Sequence, residues 1–159
     1  MPVIEHEISI DASIQVCFDL ARTVEIHSGK TMLTKQKAIG GVTSGLMGLG
    51  DSVTWEVSHF GIKQKLKSRI IEMDNPCKFT DAMVQGPFQS FQHTHEFIPS
   101  GTGTRMKDTV SYQSPFGIFG KVADLLFLEN YMRQFIAQHA QKVKRAAEAE
   151  KQCLFDEHS

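Results

Sequence analysis

Residues Val3–Ile10 alternate in character: Ile4, His6, Ile8 and Ile10 share one face, and Glu5, Glu7 and Ser9 share the other. A period of two with one apolar side predicts a strand that buries a single face. Asp11 stands where a helix N-cap belongs, and Ile14, Cys17, Phe18 and Ala21 then recur at helical spacing. The pattern predicts a short helix, or two small ones broken between Arg22 and Glu25, ending near Ser28–Gly29. After a glycine-rich stretch the alternation returns, with Val53, Trp55, Val57 and His59 on one side. Gly61 marks a turn, and Ile62, Gln64, Leu66, Ser68 and Ile70 then oppose Lys63, Lys65, Lys67 and Arg69. Asn75–Pro76 and Gly86–Pro87 bracket another strand, on which Phe79, Asp81 and Met83 share a face. Two more follow, one aligning Phe91, His93, His95 and Phe97, the other Met106, Asp108, Val110 and Tyr112, with a loop at "PSGTGT" between them.

The last element has a different period. Val122, Leu125, Leu128, Met132, Phe135, Ile136, His139 and Val143 fall three and four apart, the stripe of a long amphipathic helix. Strands joined by hairpins leave one sheet face to be covered, and this helix is the element able to cover it. The expected class is α+β: a curved antiparallel sheet wrapped around a long C-terminal helix, with two short helices after the first strand. Residues 1–150 make a single domain, and 151–159 form a tail expected to fray.

The glycine-rich stretch "IGGVTSGLMGLGDSVTW" invites a phosphate-loop reading, which its details oppose. A phosphate loop needs Lys and Ser/Thr directly after its last glycine, whereas Gly50 is followed by Asp51 and Ser52. Gly45, Gly48 and Gly50 also reverse the dinucleotide spacing, and they open a strand rather than a helix. Residues Gly40 to Gly50 instead carry Leu46, Met47 and Leu49, either on a hinged flap or on a tight glycine turn whose apolar residues complete the core.

Charge and cysteine usage narrow the class without redirecting it. A formal net charge of -1 gives no general attraction to nucleic acid, and the Lys63–Arg69 stripe reads as a solvated sheet face. The three cysteines, Cys17, Cys77 and Cys153, are widely spaced and suit free thiols in a reducing cytoplasm. The N-terminal residues lack the charge and apolar run of a signal peptide, and no apolar run approaches the length of a membrane span.

Several stretches carry a family resemblance: "FDLART", "AIGGVTSGLMGLGDSVTW", "HFGIKQKLKSRI", "FTDAMVQGPF", "HTHEF" and "MKDTVSYQSPFGIFGKVAD". Together with the element order, they resemble the helix-grip fold of the START-like (SRPBCC) superfamily, in its bacterial polyketide cyclase/dehydrase-like branch. The resemblance implies a cavity between sheet and long helix, with early loops, Gly40 to Gly50 among them, at its mouth.

Polar residues share the apolar strand faces. His59, Asp81, His93, His95 and Asp108 lie in register with Trp55, Phe79, Phe91, Phe97 and Met106. Buried acids need partners. Four uses stay open for them: a self-satisfied internal network, anchors for a ligand's polar groups, a His–Asp general base, or a metal site built on His93-x-His95. As a base, His95 would pair with Asp108, and Tyr112 would donate to a developing oxyanion. One His-x-His is a weak metal pattern, so no metal and no cofactor are expected.

The expected function is binding of a hydrophobic or amphipathic small molecule by Leu46, Met47, Trp55, His59, Phe79, Asp81, Phe91, His93, His95, Met106, Asp108 and Leu125. The alternatives are a cofactor-independent cyclase, dehydratase or isomerase acting through His95, Asp108 and Tyr112, and a stress-associated interaction module without an active cavity. The expected partners are that small ligand and, through an exposed sheet edge, a second copy in a homodimer; nucleic acid and a membrane span are not expected.

Overall fold

The computed structural model describes residues 2–30, 34–59, 62–114 and 127–157. Strand β1 (Val3–Ile10) leads into helices α1 (Ile14–Ala21) and α2 (Val24–His27). Strands β2 (Gly29–Lys30), β3 (Thr34–Gly41), β4 (Ser52–His59), β5 (Ile62–Asp74), β6 (Lys78–Gln85), β7 (Ser90–Ser100) and β8 (Gly103–Gln113) follow. Helix α3 (Glu129–Glu157) ends the chain. The strands form one antiparallel sheet in the order β1-β8-β7-β6-β5-β4-β3-β2, so the first strand pairs with the last. Register shifts in β3 and at two places in β5 supply the bulges that bend the sheet. The result is the helix-grip arrangement: a curved sheet closed by one long helix, with the two short helices after the first strand.

The cap of α1 is Ser13, whose side chain accepts from the Val16 amide, rather than Asp11. Asp11 is taken by the long helix instead, since its carboxylate pairs with Lys151 at 2.6 Å. Thr23 breaks the two short helices apart, its hydroxyl donating to the Asp19 carbonyl at 2.6 Å. Helix α3 is described from Glu129 and continues through residues 151–157 to Glu157, so the expected start near Val122 and the position of Leu125 lie outside the described residues.

Strands β2 and β3 are the unanticipated elements. Gly40 and Gly41 belong to β3, so the glycine loop is shorter than Gly40 to Gly50. Gly41 has φ +69, and a Cβ there would lie 2.3 Å from the Ser52 carbonyl oxygen, so only glycine fits. The rest of the loop is bonded to the break between α1 and α2. The Val24 amide donates to Gly45 O at 3.0 Å, the Met47 amide to Arg22 O at 3.0 Å, and the Gly45 amide to Glu25 Oε1 at 2.9 Å. Asp51, which would have repelled phosphate, accepts from the Gly48 amide at 2.8 Å. Leu46 is 51% exposed, while Met47 is 5% exposed and enters the core. Met47→Ala is expected to lower stability by about 2–5 kcal/mol, the range for truncating a buried long apolar chain to alanine. Urea denaturation measures it, and a loss below about 0.5 kcal/mol would mean the loop does not stake the core.

The interior holds two apolar clusters. The larger joins α1, the middle of the sheet and the middle of α3, through Phe18, Trp55, Phe79, Phe97, Met106 and Val143 among others. The smaller holds Ile4, Val110, Tyr112, Met132 and Ile136, with Phe88 and Phe91 against it. A polar band crosses the sheet between them.

Candidate functional site

Strand register builds that band. On β7, His93 is paired with Asp81 of β6, and His95 with Phe79 of β6 and Asp108 of β8; Asp108 is in turn paired with His6 of β1. Inward-facing residues recur every second position, so these side chains meet at one level of the inner face. His95 Nε2 lies 3.1 Å from Asp81 Oδ2, and His93 Nε2 lies 2.9 Å from Asp108 Oδ1. His95 Nδ1 lies 2.9 Å from the same Asp108 oxygen, close enough for strong attraction though not aligned as a hydrogen bond. The His93 and His95 rings stack at 3.8 Å, and Phe79 stacks on His95 at 4.2 Å.

The helices supply two more imidazoles. His139 of α3 faces both strand histidines, with ring centres 6.2 Å from each. His27 of α2 stacks on His139 at 4.3 Å and stands 6.1 Å from Trp55. Its Nε2 donates to the Ala21 carbonyl at 2.8 Å, so His27 closes the end of α1 while its ring joins the band.

The surroundings sort these groups by charge. Burial opposes a charge on His95, but contacts with Asp108 and Asp81 outweigh it and lift the pKa to about 9. Burial alone would raise both acids, and the bonds they accept from the histidines override it, holding Asp108 and Asp81 below the usual carboxylate range. Burial lowers His27 to about 4 and carries His139 well below its ordinary value. Near neutrality an imidazolium sits between two carboxylates, with a neutral imidazole pair on the helix side.

The structure thus brings together Asp81, His93, His95 and Asp108. Met47, Trp55, Phe79 and Met106 lie in the larger apolar cluster, next to the band. Phe91 belongs with the smaller cluster, as does Tyr112, four residues beyond Asp108 or about 13 Å at the rise of a strand. Leu46 points outward, and the side chain of His59, like all of Leu125, lies outside the described residues. His27 and His139 carry weaker signals: the sequence places His27 at a helix end, as a cap or a pocket residue, and His139 on the helix face turned to the inner network, while their mutual contact depends on how α2 meets α3.

No helix among the described residues is long and apolar enough to cross a membrane. A family model described as polyketide cyclase/dehydrase and lipid transport matches residues 18–139. No curated protein matches the chain. Among solved structures it is similar to TTHA0849 from Thermus thermophilus, with TM-score 0.76 and 20% identity over 94% of this chain and 99% of that one. Ginseng major latex-like protein 151 from Panax ginseng gives TM-score 0.67 at 14% identity, over 92% of this chain and 97% of that one. A truncated norcoclaurine synthase from Thalictrum flavum gives TM-score 0.64 at 18% identity, over 91% of each chain. At these identities the likeness is one of fold.

Proposed function

The chain belongs to the polyketide cyclase/dehydrase and lipid-transport family, and from that premise we propose that it binds a hydrophobic or amphipathic small molecule between the sheet and α3. The observation that carries the reading is unmet hydrogen-bonding capacity within an apolar interior. Asp108 Oδ2 and His139 Nε2 are both buried without a hydrogen-bond partner. Each such atom costs about 1–3 kcal/mol while unpaired. A ligand with a hydroxyl or carbonyl head would pair with them, and its apolar body would lie against Trp55 and Met47. Of the band's two acids Asp81 is the more exposed, with a side chain 22% accessible.

Trp55 is the chain's single tryptophan, so its fluorescence reports on this place alone. Titration with a panel of aromatic and long-chain amphiphiles is expected to shift Trp55 emission and give one-to-one complexes in native mass spectrometry. A ligand present at 100 times its Kd should add about 2.7 kcal/mol to stability. A panel that leaves emission, mass and melting temperature unchanged would refute the reading.

A second reading, turnover, is favoured by one feature: His95 and His139 share a cluster whose carboxylates push the first imidazole's pKa up while burial pushes the second's down. Adjacent titratable groups pushed apart in pKa can serve as acid and base. His95, carrying its proton, would act as the acid, and His139 as the base, which reverses the role expected of His95 from sequence. Turnover of a polyketide-like or aromatic substrate would then collapse in His95→Ala while ligand binding persists, and in His139→Gln together with weaker binding, since that nitrogen also anchors the ligand head. Equal turnover in variants and parent would rule it out.

A further inference from the structure

We propose that Asp81, His93 and His95 form a binding site for a divalent first-row transition-metal ion of the zinc or ferrous type. One donor atom from each residue lies within 4.8 Å of the others. Two donors at about 2.1 Å from one ion stand about 3 Å apart when they meet it at a right angle. His95 Nε2 and Asp81 Oδ2 already stand 3.1 Å apart. The 4.8 Å bound is wider than the roughly 4.2 Å reached by donors on opposite sides of an ion, so the side chains must draw together by a few tenths of an ångström on binding.

Asp108 separates this arrangement from an ordinary ion pair. A metal-binding histidine presents one nitrogen to the ion and directs the other at a carboxylate or carbonyl, which fixes its tautomer and ring orientation. Asp108 Oδ1 lies 2.9 Å from His93 Nε2 and 2.9 Å from His95 Nδ1. One oxygen is therefore hydrogen-bonded to His93 and in close contact with His95, and a ligand set of His93 Nδ1, His95 Nε2 and Asp81 would leave both contacts in place.

The helix provides a second, independent observation. His139 is 8% exposed, its Nε2 is buried without a hydrogen-bond partner, and its ring centre is 6.2 Å from both strand histidines. It is a further nitrogen donor on the opposite wall. Imidazole nitrogens with a carboxylate oxygen suit a borderline transition ion, whereas calcium and magnesium prefer oxygen shells. A divalent ion would also offset the negative charge of Asp81 and Asp108.

The test uses the full chain, stripped with a chelator and titrated with Co²⁺ and then Zn²⁺. One equivalent of Co²⁺ is expected to bind at micromolar or tighter affinity, with visible bands typical of four or five nitrogen and oxygen ligands. Zn²⁺ should displace it and raise the melting temperature. Asp81→Asn and His93→Gln should each abolish the bands, and Asp108→Asn should weaken binding about 10–100-fold, as loss of an outer carboxylate does. Asp81→Asn changes a partly exposed side chain, so it decides the matter even if His93→Gln fails to fold. Absence of stoichiometric binding, or Co²⁺ bands that survive Asp81→Asn, overturns the proposal and leaves the small-molecule reading untouched.

Discussion

Asp108→Ala is expected to lower the unfolding free energy by about 3–5 kcal/mol, the usual cost of removing one partner from a buried ion pair. Asp108 is 0% exposed, and its Oδ1 faces both His93 and His95. Without it the His95 imidazolium keeps only Asp81, and burial then works against its charge. Asp81 is the more accessible of the two acids, with a side chain 22% exposed. Asp81→Ala should therefore cost less, because solvent screens part of what is lost. For a chain of this size 1 kcal/mol corresponds to about 2–4 °C in Tm, so Asp108→Ala is visible in any melting experiment. Urea denaturation at neutral pH checks the magnitude. A loss below about 1 kcal/mol would show that the histidines do not depend on this carboxylate.

Stability of the metal-free protein should pass through a maximum near pH 6.5, the ordinary histidine value, and fall on both sides of it. The alkaline limb belongs to His95. Its folded pKa of about 9 exceeds the ordinary 6.5, so the folded state holds a proton that the unfolded state has released. Its contribution is complete below about pH 6.5 and disappears as pH rises through about 9. The size is on the order of 3 kcal/mol at one pKa unit per 1.36 kcal/mol. The acid limb belongs to His27 and His139. His27 is lowered to about 4 and His139 lies well below its ordinary value, so the unfolded state takes up protons that the folded state refuses. Stability therefore declines as pH falls from about 6.5 toward 4. The depressed acids add to that decline at lower pH still, as Asp81 and Asp108 are protonated. Chemical denaturation from pH 4 to pH 9.5 in the presence of a chelator traces both limbs. His27→Gln should flatten the acid side and His95→Gln the alkaline side; a profile level from pH 6.5 to 9.5 in the parent protein contradicts the assignment of His95.

Most strands were legible because their apolar positions keep a strict period of two. β7 and β8 bury alternate residues along most of their length, and the pattern falls on His93, His95, Asp108 and Tyr112 as the sequence implied. β3 failed to announce itself for a physical reason. "TKQKAIGG" lies next to the two-residue edge strand β2, with few apolar positions, and the register shift after Ala38 leaves Ile39 41% exposed. An outlying strand with a bulge has no buried period to read. The site was legible in part on the same principle. Residues on one strand face can be grouped from sequence, so Asp81, His93, His95 and Asp108 were assembled in advance. The apolar face of the long helix already turned His139 toward that network, but its stacking on His27 joins two helices and is a tertiary fact that no local pattern carries. Local pattern also favoured Asp11 as a cap; a lysine 140 residues away claims it instead.

The polar band has a mechanical consequence for the long helix. Two smooth apolar surfaces can slide by a helical turn at modest cost, because one leucine-like contact replaces another. Here such a slip, about 5.4 Å along the axis, would carry His139 away from His93 and His95. It would set Ile136 or Val143 against a buried carboxylate and an imidazolium. The band acts as a notch into which the helix drops, so the sheet and α3 are indexed to one another and not merely adhered.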